Sequence, residues 1–224
     1  NNIISQLQGK IGTIRLDNLL SAIDKAKNNK NIKGIYIEAG AFTADSYASL
    51  QAVRNALVDF KKSGKWIITY ADIYTQGTYY LSSSANKVYL NPQGQIDWHG
   101  LSSQPVFVKD LLKKFGVKMQ VMKVGTYKSA TEMFTGDKMS DANREQTSAY
   151  LNSIWGNITK DVSATRNISV SSLNAYADSM ITFAAPTDYL KYKLVDGLLY
   201  TDQVKAVVKK QLGLDKDDDI NQVS

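Results

Sequence analysis

The sequence predicts a parallel α/β fold completed by a helical segment. Three observations carry this reading. Short apolar runs alternate with helix-period segments from Leu16 to Val124, the pattern of strands connected through helices. The run Lys65-Trp66-Ile67-Ile68-Thr69-Tyr70-Ala71 is apolar through its centre instead of alternating, as a strand covered on both faces of a parallel sheet would be. After Lys128 the strand-like runs give way to helical stripes.

In chain order, Leu16 to Lys27 reads as a helix because Leu19, Leu20, Ile23 and Ala26 keep to one face. Gly34 to Glu38 is a short apolar strand. Asp45 or Ser46 can cap the next helix, in which Leu50, Val53, Leu57 and Phe60 recur at spacings of three and four before Gly64 ends it. The second strand, Lys65 to Ala71, leads into a turn at Asp72 to Gly77. A helix over Thr78 to Ala85 follows, then a third strand over Asn86 to Pro92, closed by Pro92 and Gly94. Val106 to Phe115 is a helix ended by Gly116, and Val117 to Val124 a fourth apolar strand.

In the second half, Ser140 begins a long helix with Leu151, Ile154, Trp155, Ile158 and Val162 on one stripe. A shorter helix passes through Leu173 and Tyr176, and Pro186 starts another, proline suiting a first helical turn. Leu194 to Gly197 is a tight corner, and Thr201 to Leu212 a last helix stopped by Gly213. The charged stretch from Asp215 to Asp219 reads as a linker. With no internal repeat and no strong boundary, residues 1–214 read as one α/β domain whose helical part covers about 140–214, with 215–224 as linker.

Composition removes several chemistries. The 224 residues hold no cysteine, which excludes thiol catalysis, disulfides and thiolate metal sites. The single histidine, His99, excludes a multi-histidine metal centre, and the acids scatter too widely to nominate a cation site. No metal or cofactor is expected. The net charge of +6 comes from lysines and arginines placed singly or in pairs, so a mildly basic solvated surface is favoured over nucleic-acid binding. No apolar run approaches the ~20 residues that cross a bilayer. The polar ends, Asn1 to Gln6 and Asn221 to Ser224, read as cuts in a longer protein from which a membrane anchor is missing.

In parallel α/β folds, ligand sites gather where strands run into the following helices. Two such junctions stand out. One is Tyr74-Thr75-Gln76-Gly77-Thr78-Tyr79-Tyr80, a strand-turn-helix shape that hydrolases use to present a nucleophile. Here the turn carries Gln76, whose amide has no nucleophilic oxygen. The other is Met122-Lys123-Val124-Gly125-Thr126-Tyr127-Lys128-Ser129-Ala130. Gly125 permits a sharp exit from the sheet. Thr126 and Tyr127 can shield the stem of Lys128, and a lysine shielded from water loses affinity for its proton and can serve as general base toward a hydroxyl. A solvated loop lysine is the commoner outcome for such a residue. Ser82, Ser83 and Ser84 fall inside a helix and make poor nucleophiles. Ser129, adjacent to Lys128, is more interesting, but adjacent side chains rarely face each other. His99 reads as a structural or surface histidine, and Tyr79 and Tyr80 as packing residues.

Taken together, these segments resemble the signal peptide peptidase A family, also called protease IV, at the amino-terminal repeat of its long two-repeat form. The resemblance is carried by Tyr74 to Leu81, Ala85-Asn86-Lys87-Val88, Asn91-Pro92-Gln93-Gly94 and Val124 to Ala130. It continues through Glu132, Phe134, Met139-Ser140, Arg144-Glu145 and Lys193-Leu194-Val195-Asp196. The segments keep their order and spacing from about Leu16 to Gly213.

The resemblance implies a Clp protease/crotonase-like spiral of ββα units. It implies a membrane-associated serine protease with a Ser/Lys dyad that degrades signal peptides once released, and a ring-like homo-oligomer. Lys128 matches the family's general base. Gln76 occupies the turn that in the second repeat holds the serine, so the nucleophile would come from a second repeat outside this chain, and the fragment alone would be inactive. The expected location is the cytoplasmic (inner) membrane with the catalytic part on the extracytoplasmic, periplasmic side, through an anchor that this chain lacks. The chain would also begin after the family's opening strand, leaving a sheet edge exposed. A non-catalytic scaffold for peptide binding or oligomerisation is the alternative from another class. A crotonase-like acyl-thioester enzyme would rest on fold analogy alone.

Overall fold

The computed structural model describes residues 14–40, 44, 46–122 and 129–223. These divide into two compact units, residues 14–99 with 162–223, and Gly100–Asp161.

The first unit is built on a four-stranded, all-parallel sheet in the order β1-β2-β3-β4, formed by β1 (Gly34–Glu38), β2 (Trp66–Tyr74), β3 (Lys87–Ile96) and β4 (Gly197–Leu198). Helix α1 (Leu16–Asn28) precedes β1, while α2 (Tyr47–Lys61) connects β1 to β2 and α3 (Gln76–Ser82) connects β2 to β3. The central strand behaves as its composition requires: Ile67, Ile68, Thr69, Tyr70, Ala71 and Tyr74 are all buried. Helix α2 sends Leu50, Val53, Leu57 and Phe60 into the core, as the spacing predicts. Ser46 caps it, its hydroxyl accepting the N–H of Ser49. Gly64 takes φ +80° just beyond, a left-handed position that suits a residue without Cβ.

Two boundaries differ from the sequence reading. Helix α3 starts at Gln76 and ends at Ser82, because Thr75 is its cap and accepts the N–H of Thr78 at 3.2 Å. Strand β3 is not closed by Pro92 and Gly94 but continues to Ile96. Its register against β2 jumps from Ala71↔Leu90 to Ile73↔Gln95, so Asn91 to Gly94 form a bulge that absorbs the residue lacking an N–H. Asn91 steadies the bulge by accepting the Gln93 N–H at 2.9 Å and donating to Asp72 at 2.8 Å.

The second unit contains α4 (Lys109–Lys114), a 3₁₀ turn (Ser129–Thr131), α5 (Glu132–Thr135) and most of α6 (Asp141–Arg166), whose last turns, from Val162, belong to the first unit. The strand expected over Val117 to Val124 is not present in its described part: residues 117–122 pair with no strand. Val117 and Met119 are about half exposed and Met122 is 103 % exposed, so the apolar alternation there does not mark a core-facing strand. Helix α4 is also shorter than the expected Val106 to Phe115.

The remainder of the first unit is helical. It comprises α7 (Val170–Asp178), α8 (Pro186–Lys191) with proline in its first turn, and α9 (Thr201–Leu212), which ends at Gly213 with φ +70°. The corner at Leu194 to Gly197 does more than turn. Leu194 and Val195 are buried, and Gly197 enters the sheet beside Tyr89.

Candidate functional site

The junction of β2 with α3 is the best-defined candidate site. Gln76 is the first residue of α3 and only 3 % exposed. Its amide nitrogen donates to the Tyr47 hydroxyl at 3.0 Å, and its amide oxygen accepts the His99 backbone N–H at 3.0 Å. The side chain at this turn therefore ties the start of α2 to the loop after β3, and it presents no oxygen nucleophile. Gly77 follows because a Cβ there would come within 3.1 Å of Leu50 Cδ1.

Behind the turn stands a packed aromatic column. The Tyr79 ring lies edge-on to Tyr74 at 6.1 Å and to Trp98 at 5.7 Å between centroids. Each polar tip is satisfied. The Tyr79 hydroxyl donates to the Leu194 carbonyl at 2.8 Å, the Tyr74 hydroxyl to the Tyr89 carbonyl at 2.9 Å, and the Trp98 indole to the Leu173 carbonyl at 2.9 Å. Burial holds the Tyr74 and Tyr79 phenols in their protonated form well beyond the usual tyrosine range. Such rings contribute about 1.5–3 kcal/mol each through burial, and they make the floor of the junction rigid.

Ser83 and Ser84 are structural, donating to the carbonyls of Tyr80 and Leu81, each at 2.8 Å; Ser82, the last residue of α3, is buried with them. His99 is an exposed side chain with Nε2 3.3 Å from Asp97, and its role at the junction is played by its backbone.

Lys128, the candidate base, lies outside the described residues, as do Val124 to Tyr127. What is described begins just after it. Glu132, in α5, is buried, and its carboxylate accepts the Ser140 hydroxyl at 2.6 Å, the Ser140 N–H at 3.2 Å and the Asn143 amide at 3.0 Å. A buried carboxylate is costly without such donors. Here it fastens the segment following Lys128 to the start of α6, where Ser140 also accepts the Asn143 N–H at 3.2 Å.

One residue escaped the sequence reading altogether. Arg54, 2 % exposed, donates to the Tyr80 carbonyl, to Ser83 at 2.7 Å and to Thr165 at 2.7 Å, and its guanidinium lies 4.8 Å from the centre of the Tyr80 ring. The signal was present: Arg54 stands four residues after Leu50 and one after Val53, on the buried stripe of α2. Arg166 joins α6 to the β4 corner, donating to Asp196 at 2.9 Å and to the Lys193 carbonyl, while Asp196 accepts the Val88 N–H at 2.7 Å.

A parallel sheet whose central strand turns directly into a short capped helix defines an α/β protein of the kind that places chemistry at its strand-helix junctions. The chain belongs to peptidase family S49, whose model matches residues 59–215. It is 39 % identical over 207 residues to Protease 4 of Salmonella typhi, covering 90 % of this chain and 34 % of that protein. It is 27 % identical over 217 residues to the Arabidopsis thaliana protein named Serine protease SPPA, chloroplastic, covering 96 % of this chain and 32 % of that one. The chain thus spans about a third of the length of these curated relatives. Among solved structures, an enoyl-CoA hydratase from Shewanella pealeana aligns with a TM-score of 0.49 at 10 % identity, over 88 % of this chain and 62 % of that one. The α/β assignment rests on the parallel sheet itself. Among the described residues, no helix is long and apolar enough to cross a membrane.

Proposed function

We propose that this chain is the base-donating part of a Ser/Lys endopeptidase acting on peptides such as released signal peptides. The observation that carries the proposal is Gln76. At the β2–α3 turn, where a hydrolase of this shape would carry its nucleophile, the side chain is a buried amide held by Tyr47 and His99. A family S49 chain with that turn closed to chemistry needs an attacking oxygen from elsewhere. The resemblance of Val124 to Ala130 to the family's lysine element supports Lys128 as the residue that activates it.

In this mechanism the neutral amine of Lys128 takes the proton of a serine hydroxyl supplied by a second repeat. The serine oxygen attacks the peptide carbonyl, and the resulting ammonium returns the proton to the leaving amine. Backbone amides beside the serine would hold the oxyanion. Association with a membrane, an extracytoplasmic catalytic face and a homo-oligomeric ring belong to the same proposal. They are supported by the family resemblance and by identity to Protease 4 of Salmonella typhi.

The test is a pair of assays. The chain alone should cleave no peptide, and Lys128→Ala in the full-length protein should abolish turnover. Full activity after that substitution would overturn the proposal. A second reading, a scaffold for assembly, draws on the exposed Leu111, Phe115 and Met122 of the second unit. It predicts that the Lys128 amine titrates like any solvated lysine.

A further inference from the structure

The second unit holds a cavity of about 400 Å³. It is formed by residues 103–107 and 137–151, which flank the Lys128 segment on both sides in sequence. Its apolar lining comes from Phe107, Met139 and Leu151, and two cations, Lys138 and Arg144, stand beside them. The one carboxylate among its described lining residues, Asp137, is paired with Lys109 at 2.7 Å. Neither Lys138 nor Arg144 has an anionic partner among the described residues. The pocket therefore combines an apolar surface with uncompensated positive charge, and its volume falls within the range of small-ligand sites, ~300–1,000 Å³.

We infer that this pocket binds the carboxy-terminal end of an apolar peptide, with its free α-carboxylate on Arg144 and Lys138 and its last side chains against Phe107, Met139 and Leu151. The guanidinium of Arg144 offers the planar pair of donors that fits a carboxylate edge, and Lys138 adds a point charge. The inference rests on the proposed peptidase reading and gives it a selection rule. A peptide already cut from its precursor ends in a carboxylate, whereas the same segment inside an intact precursor continues into a neutral amide bond. Charge recognition at this pocket favours the released peptide.

The test titrates the full chain with an N-terminally fluorescein-labelled alanine/leucine peptide, as free acid and as carboxy-terminal amide, and reads anisotropy. The free acid should bind about tenfold more tightly than the amide at low salt, and added salt should narrow the gap. Arg144→Gln with Lys138→Gln should bring the acid to the level of the amide, with circular dichroism unchanged because both side chains are exposed. Leu151→Ala should weaken both peptides alike. Equal binding of acid and amide, or an acid preference that survives the double substitution, would overturn the inference. The readout needs no turnover, so the same titration with Lys128→Ala separates failure of this pocket from failure of the catalytic proposal.

Discussion

The side-chain oxygen of Gln76 accepts the backbone N–H of His99 at 3.0 Å. This bond fixes the loop after β3 to the first turn of α3, and the other end of the same amide reaches Tyr47. Gln76→Ala should lower stability by about 1–3 kcal/mol, since it strands two polar partners next to the core. Urea denaturation would read this. Gln76→Ser should show a similar loss, because the short hydroxyl cannot reach both partners.

Substituting Lys128 separates catalysis from folding. In the full-length protein, Lys128→Ala should reduce kcat by at least ~10²–10⁴-fold, the range for loss of a general base, with KM little changed. Steady-state kinetics on a fluorogenic peptide and a thermal melt on the same sample provide the two readings.

Arg54 should be among the most sensitive positions in the first unit. Arg54→Ala removes donors to Tyr80, Ser83 and Thr165 and opens a void under α2, which predicts a loss of about 3 kcal/mol or more. Arg54→Lys should recover little, because one ammonium cannot span the three acceptors. Chemical denaturation of the two variants would compare them directly.

Alkali should unfold the protein through its tyrosines. Burial, with help from Glu38, pushes the Tyr36 phenol up to about 12, and burial raises Tyr74 and Tyr79 further. Unfolded tyrosines ionise near ~10. The folded state binds these protons more tightly, so their contribution is complete below about pH 10 and disappears as pH rises through the folded values. An ultraviolet phenolate titration should show these tyrosines ionising late, together with loss of the far-ultraviolet helical signal. Ionisation of every tyrosine near pH ~10 with the fold intact would contradict the burial seen at Tyr74 and Tyr79.

Much of the sheet was legible in sequence because β2 is apolar on both faces and α2 repeats its core residues at helical spacing. The failures have definite causes. The run from Val117 to Met122 alternates like a strand, but a strand also needs a partner ladder, and none of the described strands supplies one. Strand β3 passes through Pro92 because a bulge removes the need for its N–H, a pairing property that the residue's identity does not reveal. At the candidate site, the turn at Gln76 was visible from Tyr74 to Tyr80. Its tethers were not, since Tyr47 and His99 lie 29 and 23 residues away in sequence. The place of Arg54 on the apolar stripe of α2 is legible in sequence, but its acceptors Tyr80, Ser83 and Thr165 lie 26 to 111 residues away and are not.

The bulge in β3 also bears on how the gene can vary. At Gly94 a Cβ would stand 2.5 Å from the carbonyl oxygen of Asp72 and 2.7 Å from Leu90 Cδ1, and the first of these is main chain that cannot swing aside. Codon 94 is accordingly a place where a randomised library selected for expression should return glycine almost alone, while the neighbouring exposed Gln93 accepts nearly any replacement.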